Sequence, residues 1–410
     1  MTDTTLTGEQ ALDLASERLQ AGDYARARAL CEAALAADPA HARALYLLGS
    51  IAFENDEPGA AIEWLERAIA ADPDAADFYP YLEAVYTAED RAADARRTAE
   101  RARKAQEFGA RFGSLPRHAQ RYQRLVESLR ASRYMDYPRE VAIETLAVCN
   151  AACSFCPYPD LERKGDRMPD ALIEKIIDDL AAIPRDLPFI VSPFKVSDPM
   201  LDVRLFDILQ RCNERLPNAL LRVFTNGSPL TARHLAQLRR VQNLEHLWIS
   251  LNHHDPARYE QIMQLPWKRT IEKLELLHRT KAAGDFPVPV IVSRVGDGGA
   301  DDAAFTAFLR ERFPLFRPAL VPSSEWLGQV QGLIGSGKVL PVGCGRWFEL
   351  SITATGQVAF CCMDGKAEYP IGDVSKTNVL EVYNDPAYRV FRERYVTRSE
   401  GSPCRGCTNL

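Results

Sequence analysis

The cysteines are the residues of this chain whose type and spacing could do chemistry. Eight of the ten fall into two groups, which are Cys149, Cys153 and Cys156, and then Cys344, Cys361, Cys362, Cys404 and Cys407. In a reducing compartment, grouped cysteines bind metal or do redox chemistry more often than they form disulfides. Cys31 and Cys212 stand alone in predicted helices, and we expect them to be small core residues.

The first group forms a short motif, Cys149-Asn150-Ala151-Ala152-Cys153-Ser154-Phe155-Cys156. Three thiolates on one loop can bind three irons of a cubane cluster and leave the fourth iron without a protein ligand. The alternative is a structural zinc or a redox-inactive iron–sulfur site. Zinc would need a fourth nearby ligand, and the next cysteine or histidine is Cys212, on a predicted helix.

The elements that position this motif are apolar strands that alternate with amphipathic helices. The predicted strands are Val141–Val148, Phe189–Phe194, Ala219–Thr225, His246–Leu251 and Val288–Val292. The predicted helices are Asp170–Ala182, Leu201–Glu214, Thr231–Arg240, Thr270–Ala282 and Asp302–Arg312. Alternation of this kind predicts a parallel sheet with right-handed crossovers, open or closed into a barrel. The first cysteine group then lies at the carboxyl end of the first strand, where such barrels place active sites.

The N-terminal region repeats with a period of 34 residues, from residue 8 to about 107. Small residues and prolines recur in step, for example Ala27 with Ala61 and Pro39 with Pro73. This pattern resembles tetratricopeptide repeats, which pair antiparallel helices and present a groove to a peptide or protein. The alternative is an alanine-rich helical bundle with accidental periodicity.

Composition limits the class of protein. The chain has 410 residues, 46% of them hydrophobic, and a formal net charge of −6. This balance argues against a nucleic-acid or anionic-membrane partner. There is no apolar run of membrane-spanning length and no basic–apolar leader, so we expect a soluble, cytoplasmic protein.

The spacing C-x3-C-x2-C, with Phe155 before the last cysteine, resembles the radical SAM superfamily. The resemblance implies a partial (β/α)6 barrel and a 4Fe–4S cluster held by Cys149, Cys153 and Cys156. It also implies that S-adenosylmethionine chelates the open iron and is cleaved reductively to a 5′-deoxyadenosyl radical. A reductant such as flavodoxin or ferredoxin is the implied partner.

The resemblance continues at the ends of the later strands. Ser197 and Asp198 take the place of the family's segment that binds the methionyl amino group. Ser250 and Asn252 resemble its ribose-contacting fourth strand, and Arg294 ends the fifth, where a residue often meets the methionyl carboxylate. With Phe155, these are the implied cofactor contacts.

The second cysteine group resembles the twitch form of the SPASM extension, a hairpin and helix that complete one auxiliary 4Fe–4S cluster. The predicted hairpin covers Phe348–Met363 and turns at Thr355-Gly356. Cys361 fits the Gly-x4-Cys rule and Cys362 misses it by one, so we expect the ligands Cys344, Cys361, Cys404 and Cys407. The assignment of Cys361 over Cys362 stays open, and the alternative metal is a structural zinc.

Four domains follow from these patterns: repeats in 1–110, a helical linker in 111–138, the barrel in 139–335 and an α+β SPASM/twitch domain in 336–410. The expected function is hydrogen abstraction from a peptide, protein or carrier-bound substrate, leading to oxidation, crosslinking or epimerisation. The alternatives are a dehydrogenase or epimerase of a small natural-product precursor, such as a sugar, nucleoside or amino acid, and a non-catalytic adaptor.

No motif assigns the catalytic acid or base. Glu325, Trp326, Glu349 and Asp364 lie near the expected mouth of the barrel but carry no motif. His253-His254 follows the fourth strand. Because adjacent residues on extended chain point apart, we expect these histidines to be loop residues or substrate contacts rather than metal ligands.

Overall fold

The computed structural model describes residues 8–20, 22–72, 75–99, 101–102, 115–296, 299–322, 324–330 and 342–407. The chain divides into two compact units, residues 1–118 and 119–410. Within the described ranges, no helix combines the length and the apolarity that a membrane span requires.

The first unit is a run of antiparallel helices. They are α1 (Gly8–Gln20), α2 (Tyr24–Ala37), α3 (Ala42–Glu54), α4 (Pro58–Ala71), α5 (Tyr79–Ala88) and α6 (residues 92–99). The small residues of the repeat are buried, and a Cβ on Gly49 of α3 would lie 2.5 Å from the Leu65 side chain of α4. Small residues therefore let the paired helices approach closely. Pro73 and residues 103–107 of the predicted repeats lie outside the described residues.

The second unit is built on one nine-stranded sheet, in the order β6-β5-β4-β3-β2-β1-β7-β8-β9. The strands are β1 (Glu140–Ile143), β2 (Phe189–Ser192), β3 (Ala219–Thr225), β4 (Leu244–Ser250), β5 (Val290–Gly296), β6 (Arg317–Pro322), β7 (Glu349–Ile352), β8 (Gln357–Ala359) and β9 (Pro370–Asp373). Strands β1 to β7 pair in parallel, and β8 and β9 are antiparallel.

Amphipathic helices cover this sheet. They are α7 (Leu115–Arg130), α8 (Asp170–Leu180), α9 (Leu205–Arg215), α10 (Ala232–Leu238), α11 (Pro256–Met263), α12 (Trp267–Ala282), α13 (Ala300–Arg312), α14 (Val379–Tyr383) and α15 (Pro386–Glu393). Helix α8 shows the pattern: Leu172, Ile173, Ile176, Ile177 and Leu180 are buried at helical spacing. These side chains and the apolar strand residues form one continuous core.

Strand β6 and helix α11 are among the elements that the sequence prediction lacks. Strand β6 carries Pro318 and Pro322 and lies at the sheet edge, where a proline costs no ladder hydrogen bond. Helix α11 is too short for helical periodicity to stand out. The predicted first strand, Val141–Val148, is twice as long as β1, because the chain after Ile143 turns to place Glu144 against Arg163.

The C-terminal segment extends the barrel sheet directly. Strand β7 pairs in parallel with β1, from Glu140 opposite Glu349 to Ile143 opposite Ile352. The β7–β8 hairpin turns at Gly356, whose φ of 89° lies in the left-handed region that glycine enters without strain. The segment that carries the second cysteine group therefore packs against the start of the barrel.

Candidate active site

The first cysteine group lies on the loop that follows β1. Ala152 N and Ser154 N donate to the carbonyls of Met263 and Ile262, at 3.3 and 3.0 Å, and so fasten the loop to α11. Ala151 N lies 3.5 Å from Cys149 Sγ, as in the N–H···S contacts that a thiolate ligand accepts. The loop is thus held by main-chain bonds that do not involve its thiols.

The three thiols are close enough to perturb one another. Burial raises the pKa of Cys149 to about 12 and that of Cys156 to about 11, and it also raises the pKa of Cys153. Mutual repulsion of the thiolates adds to the shift of Cys149 and of Cys153. Three converging thiols that resist ionisation by themselves fit a cationic cluster, because a metal supplies the positive charge that deprotonates its ligands.

A cavity of about 470 Å³ opens inside the barrel. Aromatic rings form much of its wall: Phe194 stacks on Phe224 at 4.5 Å between ring centres, and Trp248 follows at 5.6 Å. On another side, Trp326 donates from Nε1 to the carbonyl of Phe155, at 2.8 Å. The cavity is therefore bounded both by the barrel strands and by the cysteine loop.

Three of the sequence-predicted cofactor contacts, Phe155, Ser250 and Asn252, line this cavity. Asn252 is held in place, since its Oδ1 accepts from Val295 N at 3.0 Å and its Nδ2 lies 3.0 Å from Met263 Sδ. Ser197, Asp198 and Arg294 are not among the lining residues.

Asp198 is enclosed by the protein rather than presented to the cavity. Its carboxylate accepts from Met200 N at 3.1 Å, from Asn226 N at 2.9 Å and from Thr225 Oγ1 at 2.9 Å. Burial raises its pKa to about 6, although these bonds oppose the rise. This geometry gives Asp198 a positioning role, in which it ties the chain after β2 to the end of β3, and its direct methionyl contact stays a prediction.

Arg294 is similarly buried, and its Nε donates to Asp302 at 2.7 Å. A second guanidinium nitrogen donates to the carbonyl of Asn252 at 2.9 Å, so Arg294 supports the residue that lines the cavity. The direct carboxylate contact of Arg294 stays a prediction.

The expectation that His253 and His254 point apart is wrong. Their rings stack at 4.8 Å between centres, because β4 ends at Ser250 and Asn252 turns the chain with a φ of 64°. His253 Nδ1 accepts from Asp255 N at 3.0 Å, and Nε2 faces Asp301 at 3.3 Å. An Nδ1 that accepts leaves the proton on Nε2, which disfavours metal binding there.

The second cysteine group surrounds a small separate cavity. Cys344, Cys361, Cys404 and Cys407 all line it, although they come from three segments of the chain. Burial raises the pKa of Cys361 well above its usual value, and the neighbouring cysteines add to the rise. Trp347 Nε1 lies 3.4 Å from Cys404 Sγ. Four converging thiols, three of them buried, fit a fully ligated cluster.

Cys361 and Cys362 face different cavities. Cys361 lines the small cavity of the cysteine cluster, whereas Cys362 lines the large cavity of the barrel. Arg346 and Met363 line both and so form part of the partition between them. This is the geometry expected of successive residues on extended chain, and it favours Cys361 as the ligand.

Three residues that line the cavity, Trp326, Arg346 and Glu349, carry no recognisable motif. Lys195 lines it too, and it stands at the start of the segment, with Ser197 and Asp198, that resembles the family's methionyl-binding segment. Asp364 does not line the cavity; its carboxylate accepts from Gln329 Nε2 at 2.7 Å and from main-chain groups that include Tyr369 N at 3.0 Å.

Comparison with known proteins agrees with this geometry. Residues 12–76 match a tetratricopeptide repeat model, residues 143–308 the radical SAM superfamily model, and residues 344–408 the SPASM iron–sulfur cluster-binding domain model. No curated protein matches the chain.

Among solved structures, Streptococcus suis SuiB bound to precursor peptide SuiA is similar, with 13% identity, coverage of 82% of this chain and 86% of that one, and a TM-score of 0.51. BtrN in complex with AdoMet and 2-DOIA has 16% identity, coverage of 66% and 93%, and a TM-score of 0.45. MamA has 27% identity, coverage of 30% and 68%, and a TM-score of 0.23.

The chain thus contains tetratricopeptide repeats, a radical SAM domain and a SPASM domain in this order, and the radical SAM domain makes it an enzyme. The predicted fold, a partial barrel preceded by helical repeats and followed by a small SPASM region, is confirmed. Its cofactors are S-adenosylmethionine, the 4Fe–4S cluster of the radical SAM domain and an additional iron–sulfur cluster in the SPASM domain.

Proposed function

We propose that this enzyme abstracts a hydrogen atom from a peptide, protein or carrier-bound substrate and so oxidises, crosslinks or epimerises it. Cys149, Cys153 and Cys156 would hold the first cluster, and Cys344, Cys361, Cys404 and Cys407 the second. When bound, the first cluster and S-adenosylmethionine together supply a 5′-deoxyadenosyl radical. The observation that carries the proposal is one cavity that touches both the first cysteine loop and the SPASM hairpin.

The chain's own residues would confine the reaction. Phe194, Phe224 and Trp248 present aromatic faces to the cavity and exclude water from much of it. Ser250 and Asn252 offer polar atoms on the side of β4, where the resemblance implies the ribose contact. A dry, aromatic enclosure protects a reactive intermediate from side reactions.

The repeats support a peptide or carrier-bound substrate. A groove of about 540 Å³ in the first unit is lined by hydroxyl-bearing and acidic side chains from several helices, among them Tyr24, Tyr46, Ser50, Glu54 and Tyr81. Tyrosines recognise partners well, since each offers a rigid apolar ring and a polar tip. SuiB, whose fold the barrel shares, was crystallised with a precursor peptide.

A small natural-product precursor is the second candidate. The enclosed, aromatic-lined barrel cavity favours it, because a molecule of this size could be buried there entirely. The adaptor alternative is set aside, because the chain is an enzyme.

The test is anaerobic turnover of the reconstituted enzyme with S-adenosylmethionine, dithionite and short peptides encoded beside its gene. Mass spectrometry would read 5′-deoxyadenosine, and in the peptide a loss of two hydrogens or uptake of solvent deuterium. Tyr81→Ala should raise the KM for a peptide several-fold, whereas Arg67→Ala, exposed on α4 and not a lining residue of the groove, should not. Turnover only of small molecules, with KM unaffected by Tyr81→Ala, would favour the second candidate.

A further inference from the structure

The barrel cavity is lined by one buried lysine that has no ion-pair partner among the described residues. Lys195 follows β2, is 6% exposed and lines the cavity. Its Nζ donates to Ser351 Oγ of β7 at 3.0 Å. In the part of the chain that the structure describes, this is its one hydrogen-bond partner, and no carboxylate lies within ion-pairing distance. Two of the three ammonium donors are therefore left for a ligand.

The carboxylates around Lys195 are already engaged. Glu144 pairs with Arg163 at 2.5 Å and also accepts from Val196 N and Ala354 N, both at 3.2 Å. Asp364 is surrounded by main-chain and amide donors.

The acids that share the cavity wall are paired as well. Glu349 pairs with Arg139 and with Arg346, the latter at 3.0 Å. Glu140 pairs with Arg222 at 3.2 Å. The three glutamates thus have their own cations and Asp364 has its own hydrogen-bond donors, whereas Lys195 has no ion-pair partner among the described residues.

An unmatched buried ammonium costs free energy in the empty protein. Burial lowers the pKa of Lys195, in line with that cost. A group that destabilises the fold and faces a cavity is typical of a binding function, since the ligand supplies the missing charge.

The position of Lys195 in the sheet separates it from the expected ribose contacts, although the expected contacts Ser197 and Asp198 follow it closely in the chain. Ser250 and Asn252 lie at the end of β4, whereas Lys195 follows β2 and Ser351 lies in β7, both on the other side of β3. The stacked rings of Phe194 and Phe224 lie between the two sets of polar residues along the wall.

We infer that Lys195, with the hydroxyl of Ser351, binds a carboxylate of the substrate, and that the substrate carries a flat or apolar body beside that carboxylate. One positive charge and one hydroxyl match a monoanion better than a phosphate dianion, and Phe194, Phe224 and Trp248 match the apolar body. The inference rests on the proposed function, because it assigns the substrate end of the same cavity.

The experiment compares 2-naphthoate with 2-naphthamide, which have the same shape and differ in charge. Calorimetry on the anaerobically reconstituted full chain, without reductant, measures both affinities with and without saturating S-adenosylmethionine. We expect the naphthoate to bind at least tenfold more tightly in the wild type, under both conditions. In Lys195→Met the two probes should bind equally, and Lys195→Arg should restore part of the preference.

Lys281→Met is the matched control, because Lys281 donates to the carbonyls of Phe286 and Val288 outside the cavity. It should keep the carboxylate preference and lower the Tm, since real partners are lost. Lys195→Met should keep or raise the Tm, because an unmatched charge is removed.

Three binding results would overturn the inference. They are no carboxylate preference in the wild type (including no binding of either probe), a preference retained in Lys195→Met, and a preference lost when S-adenosylmethionine is added, which would assign Lys195 to the methionyl carboxylate. A clear fall in Tm for Lys195→Met would assign it a structural role instead. None of these readouts needs reductive cleavage, so a failure of the proposed function would appear separately, as absent 5′-deoxyadenosine in the wild type.

Discussion

The two cysteine groups differ in the number of their thiols, in the segments that carry them and in their burial. The first places three half-buried thiols on one eight-residue loop, and Phe155 of this loop lines the large cavity. The second gathers thiols from three segments around a small cavity, and Cys344, Cys361 and Cys404 are buried. Three ligands beside open space suit a cluster that must accept a second molecule, whereas four enclosed ligands suit electron transfer or structural support.

We expect the largest effect when the first cysteine group alone is removed. Reconstituted wild type should hold about eight irons per chain, and the triple change Cys149→Ala, Cys153→Ala, Cys156→Ala should retain about four, because the second group is ligated independently. All cleavage of S-adenosylmethionine should be lost. Iron quantitation and chromatography of 5′-deoxyadenosine measure both effects. An unchanged iron count, or zinc in place of iron, would contradict the two-cluster interpretation.

The second prediction tests which of two adjacent thiols belongs to the enclosed group. Cys361→Ala should lose the second cluster, and Cys362→Ala should keep it, because Cys361 faces the other three thiols and Cys362 faces the barrel cavity. Deleting residues 404–410 removes two of the four proposed ligands and should also leave only the first cluster. Mössbauer spectroscopy on the three variants decides the assignment, which the reverse pattern for the two substitutions would move to Cys362.

A third prediction concerns the contact that joins the two regions. Arg163 pairs with fully buried Glu144 and donates to the carbonyl of Gly365, at 2.9 Å. Arg163→Met leaves the Glu144 carboxylate without its cation and should lower the free energy of unfolding by about 3–5 kcal/mol. Urea denaturation measures this loss. Arg167→Met, which breaks an exposed pair with Asp170, should cost less than about 1 kcal/mol. Equal losses in both variants would show that the buried ion pair contributes no more to the free energy of unfolding than the exposed one.

The smallest expected effect is on the affinity for S-adenosylmethionine, which binds beside the first cysteine group. Asp198→Ala removes the acceptor shared by Met200, Thr225 and Asn226, and Asn226 in turn donates to Asn150 of the cysteine loop at 2.8 Å. The dissociation constant of S-adenosylmethionine should rise several-fold, because the end of β3 and the cysteine loop lose the carboxylate that positions them, while the cluster still assembles. Calorimetry compares it with Asp202→Ala, whose carboxylate serves Arg204 instead. Unchanged affinity in Asp198→Ala would show that the main chain alone shapes the site.

The sequence alone determined the chemistry of both groups and the order of the regions. Cys149, Cys153 and Cys156 lie within eight residues, so their spacing alone places their thiols close together. The repeats are visible because small residues recur at a fixed period, where paired helices must approach closely. Most strands and helices were likewise visible, because each buries one face at a regular spacing. Strand β6 was not, since its prolines are tolerated at a sheet edge that only the assembled sheet defines.

Only the tertiary structure decided which side chains face the cavity. Asp198 looked like a cofactor contact but is enclosed by donors from β3, and His253 and His254 stack because Asn252 turns the chain. The role inferred for Lys195 depends on its surroundings in the fold. Its hydrogen-bond partner Ser351 lies 156 residues away, and the nearby carboxylate of Glu144 is already paired with Arg163. Whether a charge is matched depends on long-range packing, and spacing along the chain does not encode it.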